Sequence, residues 1–244
     1  MSKSVLITGA ARGLGANLAR EFANRGYRLA LTGRSEASLQ PLAEELRQLS
    51  PQVVVEELDV ENIDKIPAVF RRCAEALDGL DIIVANAGIA IPTPVGKGHV
   101  EQVHSVIQVN LMGGIASAEA AIELFREQGG GQLVGITSVA GVRGVRNQGA
   151  YCASKAGFSR YLQAARLETL DQNICVTELA PGFIDTDLNR GMASRPFVIS
   201  AEKGTRIMAD LIERRVKFRF VPPWPWSLVA RIMAWLPDSL MRKM

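Results

Sequence analysis

The sequence contains few cysteine, histidine or aromatic residues. Its 244 residues include three cysteines and two histidines, and aromatic side chains make up 6%. Three widely spaced cysteines fit neither a disulfide framework nor a zinc site, and two isolated histidines are more typical of a protein surface than of a metal site. We therefore expect no bound metal and a reducing environment. The residues concerned are Cys73, Cys152, Cys175, His99 and His104.

Long basic runs and uninterrupted apolar runs of membrane-spanning length are also missing. The net charge of +3 comes from 28 basic and 25 acidic residues scattered along the chain, which does not favour a nucleic acid partner. Met1 is followed almost at once by the apolar residues 5–7, which leaves no room for the regions of a signal peptide. The sequence therefore predicts a cytoplasmic protein that does not bind nucleic acid.

Short β-branched runs alternate with segments whose apolar residues recur three or four positions apart. This alternation predicts parallel strands joined by right-handed helical crossovers. We expect a single domain over residues 1–244 with an α/β, Rossmann-type doubly wound parallel sheet and helices on both faces. About seven buried strands are predicted, at residues 4–8, 28–32, 52–57, 81–85, 132–137, 174–179 and 218–221.

A glycine-rich turn follows the first predicted strand and opens directly into a helical pattern. Glycine has no Cβ, so the chain can turn tightly and a pyrophosphate can approach the helix N-terminus. The alternative, an ordinary tight connection between strand and helix, has about equal weight on this motif alone. The residues predicted to hold the nucleotide here are Thr8, Gly9, Arg12, Gly13, Leu14 and Gly15.

The second predicted strand ends in Gly33 and Arg34, where NAD-selective Rossmann proteins usually carry an acidic residue. Arg34 offers a planar fork of donors that suits a 2′-phosphate, and Arg12 could reach the same phosphate from the glycine turn. The alternative is two solvated surface arginines. The pattern favours NADP(H) as the cofactor.

Two further motifs lie where the third and fourth predicted strands end. Ligands bind at the carboxyl edge of an open α/β sheet, so Asp59 with Val60 suits the adenine and the small-residue loop Asn86, Ala87 and Gly88 suits the ribose. Taken alone, each motif is more often a helix cap or a turn.

Tyr151 and Lys155 are four residues apart in a predicted helix and therefore share one face. An unperturbed phenol has a pKa of about 10 and needs a nearby cation to act near neutral pH. Ser138 ends the fifth predicted strand at the same edge, and Asn110 lies in an otherwise apolar helix, where a buried amide needs partners. The structural alternatives are a helix-start aromatic, a strand end and a satisfied core amide.

In order and spacing, these motifs resemble the short-chain dehydrogenase/reductase family from Val5 to about Val221. Any one motif could arise by chance, but the whole set in the family's order could not plausibly do so. The set is Thr8-Gly-x-x-x-Gly-x-Gly, Asn86-Ala-Gly, Asn110, Ser138, Tyr151-x-x-x-Lys155, and Pro181-Gly182 with Thr186.

The resemblance implies the role of each residue in an NADP(H)-dependent reaction of a small carbonyl or alcohol substrate. Tyr151 is the general acid in reduction, and Ser138 holds the carbonyl oxygen. Lys155 binds the nicotinamide ribose and lowers the tyrosine pKa, while Asn110 holds a proton-relay water. Pro181, Gly182 and Thr186 hold the nicotinamide carboxamide. A lid is expected at about 183–215, its mobile part at 183–196, with an apolar pocket at 89–95, 139–145 and 183–192.

The rival interpretation is a catalytically silent NADP-binding sensor or scaffold, which the presence of all four catalytic residues disfavours. Cys152 is interpreted as packing. Arg143 and Arg146 either attract an anionic substrate or face solvent, and we favour solvent.

The tail, residues 222–244, carries more apolar side chains than a free tail should expose. It is expected to pack over the cleft, against a second subunit, or in a membrane interface with Arg231, Arg242 and Lys243 as anchors. Packing in the core or in a homodimer or higher homo-oligomer is favoured, and the membrane is the less favoured alternative.

Overall fold

All seven predicted strands form one parallel sheet in the computed structural model, which describes residues 2–192 and 194–242. Each predicted strand boundary lies within two residues of the observed boundary. The expectation that every strand is buried is wrong for β3 and β7, which are only partly buried because they form the two sheet edges. The strands are β1 (Ser4–Thr8), β2 (Arg28–Gly33), β3 (Val53–Glu57), β4 (Ile82–Ala85), β5 (Gly131–Ile136), β6 (Ile174–Pro181) and β7 (Phe218–Val221).

The strand order is β3-β2-β1-β4-β5-β6-β7. The chain moves outward from β1 to β3 and then returns to the other side of β1 with β4. This reversal leaves a crevice at the carboxyl ends of β1 and β4, the position where open α/β sheets bind ligands. The loops that follow the neighbouring strands β1, β4, β5 and β6 therefore lie at the edge where a ligand is expected.

Helices cover both faces of the sheet, as the sequence predicts. One face packs on α1, α2 and α7, and the other packs on α3, α5 and α6. The helices are α1 (Gly13–Asn24), α2 (Glu36–Leu46), α3 (Ile66–Ala76), α4 (Val100–Ile107), α5 (Gly113–Gln128), α6 (Gly149–Glu168), α7 (Ala201–Glu213), α8 (Pro223–Trp235) and α9 (Asp238–Met241).

A π-helical turn at Gln108–Met112 joins α4 to α5 and contains the predicted catalytic residue Asn110. Within the described part of the chain, the resulting stretch Val100–Gln128 is the one helix long and apolar enough to cross a membrane. Half of the residues in its most apolar 18-residue stretch are buried, and α5 packs on the sheet beside α3 and α6. We therefore interpret this stretch as a core helix.

The segment predicted as a lid does not form one structural unit. Residues 183–200 cross the carboxyl edge as a loop whose ends pair through Ile184 and Ile199, and Ala193 in this loop lies outside the described residues. Helix α7, in contrast, buries Met208 and Ile212 completely against α1 and the sheet. A helix fixed in the core cannot move as a lid, so the predicted end at 215 is wrong and the lid hypothesis applies to 183–200.

The tail folds back onto the carboxyl edge of the sheet. Parallel strands β6 and β7 end side by side, with Pro181 opposite Val221, so α8 begins next to the loop that follows β6. Trp226, Ala230 and Met233 are buried against the protein. The expectation of core packing is thus met for one face of α8. Lys243, a predicted anchor, lies outside the described residues.

Candidate active site

The glycine turn after β1 is braced by the loop after β4. The Thr8 hydroxyl accepts hydrogen bonds from the backbone N–H groups of Asn86 (3.0 Å) and Ala87 (3.1 Å). The Asn86 amide donates in return to the carbonyl oxygens of Thr8 (2.8 Å) and Gly9 (3.3 Å). Asn86 therefore positions the glycine turn, a contact that the sequence pattern does not predict.

Two glycines in this turn are required by close backbone approach. A Cβ on Gly15 would lie 2.4 Å from the carbonyl oxygen of Gly9, and one on Gly9, where φ is +66°, would lie 2.9 Å from Ala87 Cα. Side chains other than hydrogen would therefore push the two loops apart. The tight turn expected at these glycines is consistent with this geometry, and the pyrophosphate contact stays a prediction.

The turn leaves open space at the N-terminus of α1. Gly13 has φ +60°, and a Cβ there would have Thr186 as its nearest neighbour, at 3.8 Å. Leu14 follows in the first turn of the helix, whose free N–H groups favour an anion. A dinucleotide pyrophosphate fits this cradle, between α1 and the segment after β6.

Arg12 and Arg34 are exposed beside the cradle. The Ala10 N–H donates to the carbonyl oxygen of Thr32 (2.9 Å), which ties the glycine turn to the end of β2 next to Arg34. Among the residues the structure describes, neither arginine forms an ion pair with a carboxylate. Both guanidinium groups are available to a phosphate.

Asp59 and Val60 follow β3 at the same edge, as predicted. The Asp59 carboxylate accepts a hydrogen bond from the Glu61 N–H (3.1 Å), and the buried Val60 packs where a Cβ on Gly113 would collide at 2.8 Å. The turn interpretation thus describes the Asp59 contact, and Val60 has a packing role beside any contact with adenine.

Lys155 is buried between the ends of β5 and β4. Its Nζ donates to the carbonyl oxygen of Ile136 (2.9 Å) and lies 5.9 Å from the centre of the Tyr151 ring. Gly88 lies beside both this group and Asn110, because a Cβ there would be 3.5 Å from Nζ and 3.2 Å from Asn110 Oδ1. Burial lowers the pKa of Lys155 to about 8.

Tyr151 has a raised pKa. Burial is the largest cause, contact with the Ser138 side chain acts in the opposite direction, and Cys152 adds a small increase. Burial dominates this pKa while the Lys155 amino group is directed to Ile136, and the expected lowering by Lys155 stays a prediction. The phenol is therefore protonated at neutral pH, the state required of a proton donor.

Asn110 is held by backbone groups. Its Oδ1 accepts from the Ile89 N–H and its Nδ2 donates to the Ile89 carbonyl oxygen, both at 2.8 Å. Nδ2 also reaches Ser154 Oγ (3.2 Å), and that hydroxyl donates to the carbonyl oxygen of Tyr151 (2.8 Å). Ser154 thus connects Asn110 to α6, the helix that carries Tyr151 and Lys155. The sequence analysis missed this role of Ser154.

Ser138 is fixed at the start of the short helical turn Val139–Gly141. Its hydroxyl accepts from the Ala140 N–H (3.1 Å) and approaches the Pro181 carbonyl oxygen (3.5 Å). The loops after β5 and β6 therefore meet at Ser138. Gly182 follows, with its N–H bound to the carbonyl oxygen of Val221 (2.9 Å).

An aromatic cluster beside Ser138 joins Phe183, from the predicted pocket, to Trp226 and Phe197, which were not predicted as site residues. The Trp226 indole covers Gly182, where a Cβ would collide with the ring at 2.1 Å, and it packs near Val139. The rings of Phe183 and Phe197 each stand 5.9 Å from it in edge-to-face contact. The tail thus contributes an apolar wall, which no local motif near Trp226 indicates.

The interpretation of Arg143 as a solvent-facing residue is wrong. Its guanidinium donates to the carbonyl oxygens of Met233 (3.0 Å) and Leu236 and to the carboxylate of Asp238. Arg143 therefore fastens the end of α8 to the loop after β5. Arg146 is exposed, as expected, and Cys152 is buried.

Together these features describe an α/β protein whose glycine turn suits a dinucleotide and whose carboxyl edge brings Ser138, Tyr151 and Lys155 together. The family model described as short chain dehydrogenase matches residues 3–196. The chain belongs to the short-chain dehydrogenase/reductase family of oxidoreductases, which use nicotinamide cofactors.

Individual relatives agree with this assignment. An uncharacterized oxidoreductase of Mycobacterium tuberculosis is 37% identical over 244 residues, which cover 99% of this chain and 96% of the relative. An alcohol dehydrogenase of the archaeon Thermococcus sibiricus, solved with 5-hydroxy-NADP, has 27% identity and a TM-score of 0.82 over 91% of this chain and 96% of that one. A Burkholderia phymatum family member in complex with NAD has 20% identity and a TM-score of 0.85 over 95% and 92%, a likeness of fold alone.

Proposed function

We propose that this protein is an NADP(H)-dependent oxidoreductase that interconverts a carbonyl and an alcohol, with Tyr151 as the acid-base residue. The main support is the contact between Tyr151 and Ser138 at the carboxyl edge, where Lys155 Nζ lies 5.9 Å from the centre of the tyrosine ring. Two hydroxyls that converge in this way can hold one substrate oxygen, and only Tyr151 lies on the same helix face as a cation.

The glycine turn, Pro181, Gly182 and Thr186 would hold the dinucleotide, whose nicotinamide ring supplies or accepts the hydride when bound. Arg12 and Arg34 would bind the 2′-phosphate, since both are exposed at the cradle and an acidic residue that would repel this phosphate is absent from the end of β2. The Thermococcus sibiricus enzyme, solved with 5-hydroxy-NADP, supports the same assignment.

The proton chemistry favours reduction near neutral pH. Burial raises the Tyr151 pKa, so the phenol keeps the proton that a reduced carbonyl oxygen needs. Ser138 would hold that oxygen, and Asn110 would hold a relay water beside Ile89 and Ser154. Lys155 would bind the ribose and, when protonated, would place a positive charge beside Tyr151.

The substrate proposed is a small hydrophobic ketone or aldehyde. Val139, Phe183, Phe197 and Trp226 form an apolar surface beside Ser138, and apolar walls with a few polar groups are typical of small-molecule sites. The loop 183–200, which carries two of these rings, would cover the substrate.

Replacing Tyr151 by Phe tests the proposed function directly. NADPH oxidation is followed with a panel of hydrophobic ketones and aldehydes, and Tyr151→Phe should lower kcat by about 10²–10⁴-fold while NADPH binding is retained. Tyr161→Phe is the matched control, because Tyr161 lies further along α6 and its hydroxyl contacts Glu119 on α5. Equal turnover in Tyr151→Phe and wild type would overturn the mechanism, and tight NADPH binding without turnover of any carbonyl would favour the sensor or scaffold.

A second substitution tests the cofactor. Arg34→Leu should weaken NADPH binding by about 10-fold or more, since a charge-assisted hydrogen bond is lost, and should leave NADH binding unchanged. Arg47→Leu, at the far end of α2, is the control. Equal losses for both cofactors would argue against a 2′-phosphate site.

A cytoplasmic location and a homodimer or higher homo-oligomer stay predictions from the sequence. Fractionation of cells and light scattering of the purified protein test them.

A further inference from the structure

Helix α8 is apolar on two opposite sides. It spans Pro223–Trp235 and contains one charged residue, Arg231. The inner side packs on the protein, as described above. A surface helix normally turns polar residues to solvent, and one that is apolar all round is normally covered on every side. The solvent side of α8 therefore requires an explanation.

The solvent side carries a continuous apolar row, which we call the outer stripe. Trp235 is 88% exposed and Trp224 is 73% exposed, the largest exposures among the three tryptophans of the chain. Leu228 and Ile232 are about half exposed between them. The spacing of 228, 232 and 235 places these side chains on one helix face, and isolated apolar residues would not form such a row.

The outer stripe is presented by a fixed helix. Trp226 is 3% exposed beneath it and lies on Gly182, and Arg143 binds the carbonyl oxygens at the end of the helix. Exposure of the stripe thus does not come from a frayed tail. A fixed apolar face that contains two exposed tryptophans can bind another apolar surface without first having to fold.

The chain segment that carries the outer stripe has more basic than acidic side chains. Arg219, Arg231 and Arg242 are exposed in the described segment 219–242. The carboxylate of that segment, Asp238, is paired with Arg143. This cationic rim matches anionic headgroups. A two-fold contact with a second copy would instead bring the stripe and its arginines against themselves, which like-charge repulsion opposes.

We propose that the outer stripe of α8 docks this protein on an anionic lipid surface. Trp224 is non-helical, so the continuous part of α8, residues 225–235, is about 16 Å long. This length is shorter than the roughly 30 Å hydrocarbon core, so α8 would lie in the plane of the interface. Trp224 and Trp235 would enter the headgroup region at its two ends, with Arg231 beside the phosphates. Because Trp226 adjoins Gly182 and Phe183, the docked surface lies next to the candidate active site.

The tryptophans make the proposal directly measurable, since all three in the sequence lie in α8 and two belong to the outer stripe. The full-length protein is mixed with vesicles of phosphatidylcholine alone or with phosphatidylglycerol. We expect co-sedimentation with the mixed vesicles, a blue shift of tryptophan emission and quenching by brominated acyl chains. Added salt should weaken the binding.

Two variants and a control separate the stripe from general effects. Leu228→Ser with Trp235→Ser should lower vesicle partitioning by about 10-fold or more, with Tm and NADPH binding unchanged. Arg231→Glu, which keeps the stripe, should weaken binding to the mixed vesicles alone. Leu167→Ser with Leu170→Ser removes equally exposed apolar side chains at the end of α6 and should have no effect.

Failure of the wild-type protein to bind either vesicle would overturn the proposal. So would light scattering that shows a dimer which Leu228→Ser with Trp235→Ser converts to a monomer, because a second copy would then cover the stripe. NADPH binding and turnover of a water-soluble ketone are measured in parallel, so the result stands apart from the proposed function.

Discussion

Lys155 is the residue at which site chemistry and stability oppose one another. Its amino group is buried, and the pKa of about 8 lies well below the ordinary lysine value of 10.5. This difference corresponds to an energetic cost of about 3 kcal/mol for keeping the charged form inside the folded protein at neutral pH. The single hydrogen bond to the Ile136 carbonyl offsets part of it.

We expect Lys155→Met to raise the free energy of unfolding at neutral pH by about 1–2 kcal/mol while turnover is lost. The penalty exists below pH 8, where the lysine is charged in both folded and unfolded chains. As the pH rises from about 8 toward 10.5 the folded protein has already released the proton, so wild-type stability rises relative to the variant.

Urea unfolding at neutral and alkaline pH checks this prediction, with the exposed Lys97→Met as control. A variant that is less stable than wild type at both pH values would show that the hydrogen bond outweighs the buried charge.

At the scale of single residues, sequence reasoning succeeded where a side chain belongs to a local motif. Tyr151 and Lys155 share a helix face because they are four residues apart. It failed for Arg143, whose partners lie about ninety residues further along the chain, and for Trp226, whose neighbour Gly182 belongs to another strand connection. No local spacing encodes such distant contacts.

At the scale of elements, one side chain from the loop after β5 fastens the C-terminal end of α8, whose inner side packs on the protein. Arg143 satisfies the carbonyl oxygens of Met233 and Leu236, which the C-terminal end of a helix otherwise leaves free. Its carboxylate partner Asp238 is 97% exposed, and such a pair contributes little. The hydrogen bonds to the carbonyl oxygens should therefore dominate.

We predict that Arg143→Met destabilises the protein by about 1–3 kcal/mol, because two partly buried acceptors lose their donor. The tail after α8 should then become sensitive to protease. Asp238→Asn should change stability by less than about 1 kcal/mol. Denaturant unfolding and limited proteolysis measure both effects, and equal losses in the two variants would contradict the assigned roles.

Local patterns also fell short for elements that depend on neighbours. The spacing of apolar residues marked strands and helices well, but the lid at 183–215, which the family resemblance implied, extended too far. Helix α7 belongs instead to the core, since its apolar side packs against α1 on the same face of the sheet. Which helix covers which face is decided by strand order, and this order is a property of the assembled sheet.

At the scale of the whole molecule, burial predicts how the three free cysteines react. Cys73 lies in the core, where burial raises its pKa to about 12, and burial also raises the pKa of Cys152. A thiol that stays protonated is a poor nucleophile. Cys175 on β6 is only partly buried.

Brief treatment of the folded protein with iodoacetamide should therefore modify Cys175 alone, and denaturant should expose all three thiols together. Mass spectrometry gives the number and position of adducts. Rapid modification of Cys73 before global unfolding would show that the layer between α3 and the sheet opens locally. A reducing agent should leave Tm unchanged, since all three cysteines are free.

The sequence by itself determined the class of fold, the seven strands and the order of the motifs, because periodicity and glycine turns are local properties. Loops after parallel strands lie at one edge of a sheet, so the placement of Thr8, Asn86 and Ser138 at that edge also followed from the sequence. The contact of Asn86 with the glycine turn did not, because it requires β4 to lie beside β1. Tertiary structure alone decided the direction of the Tyr151 pKa shift, the Arg143 contacts and the two faces of α8. These depend on burial and on neighbours distant in the chain, and neither is encoded in any short stretch of sequence.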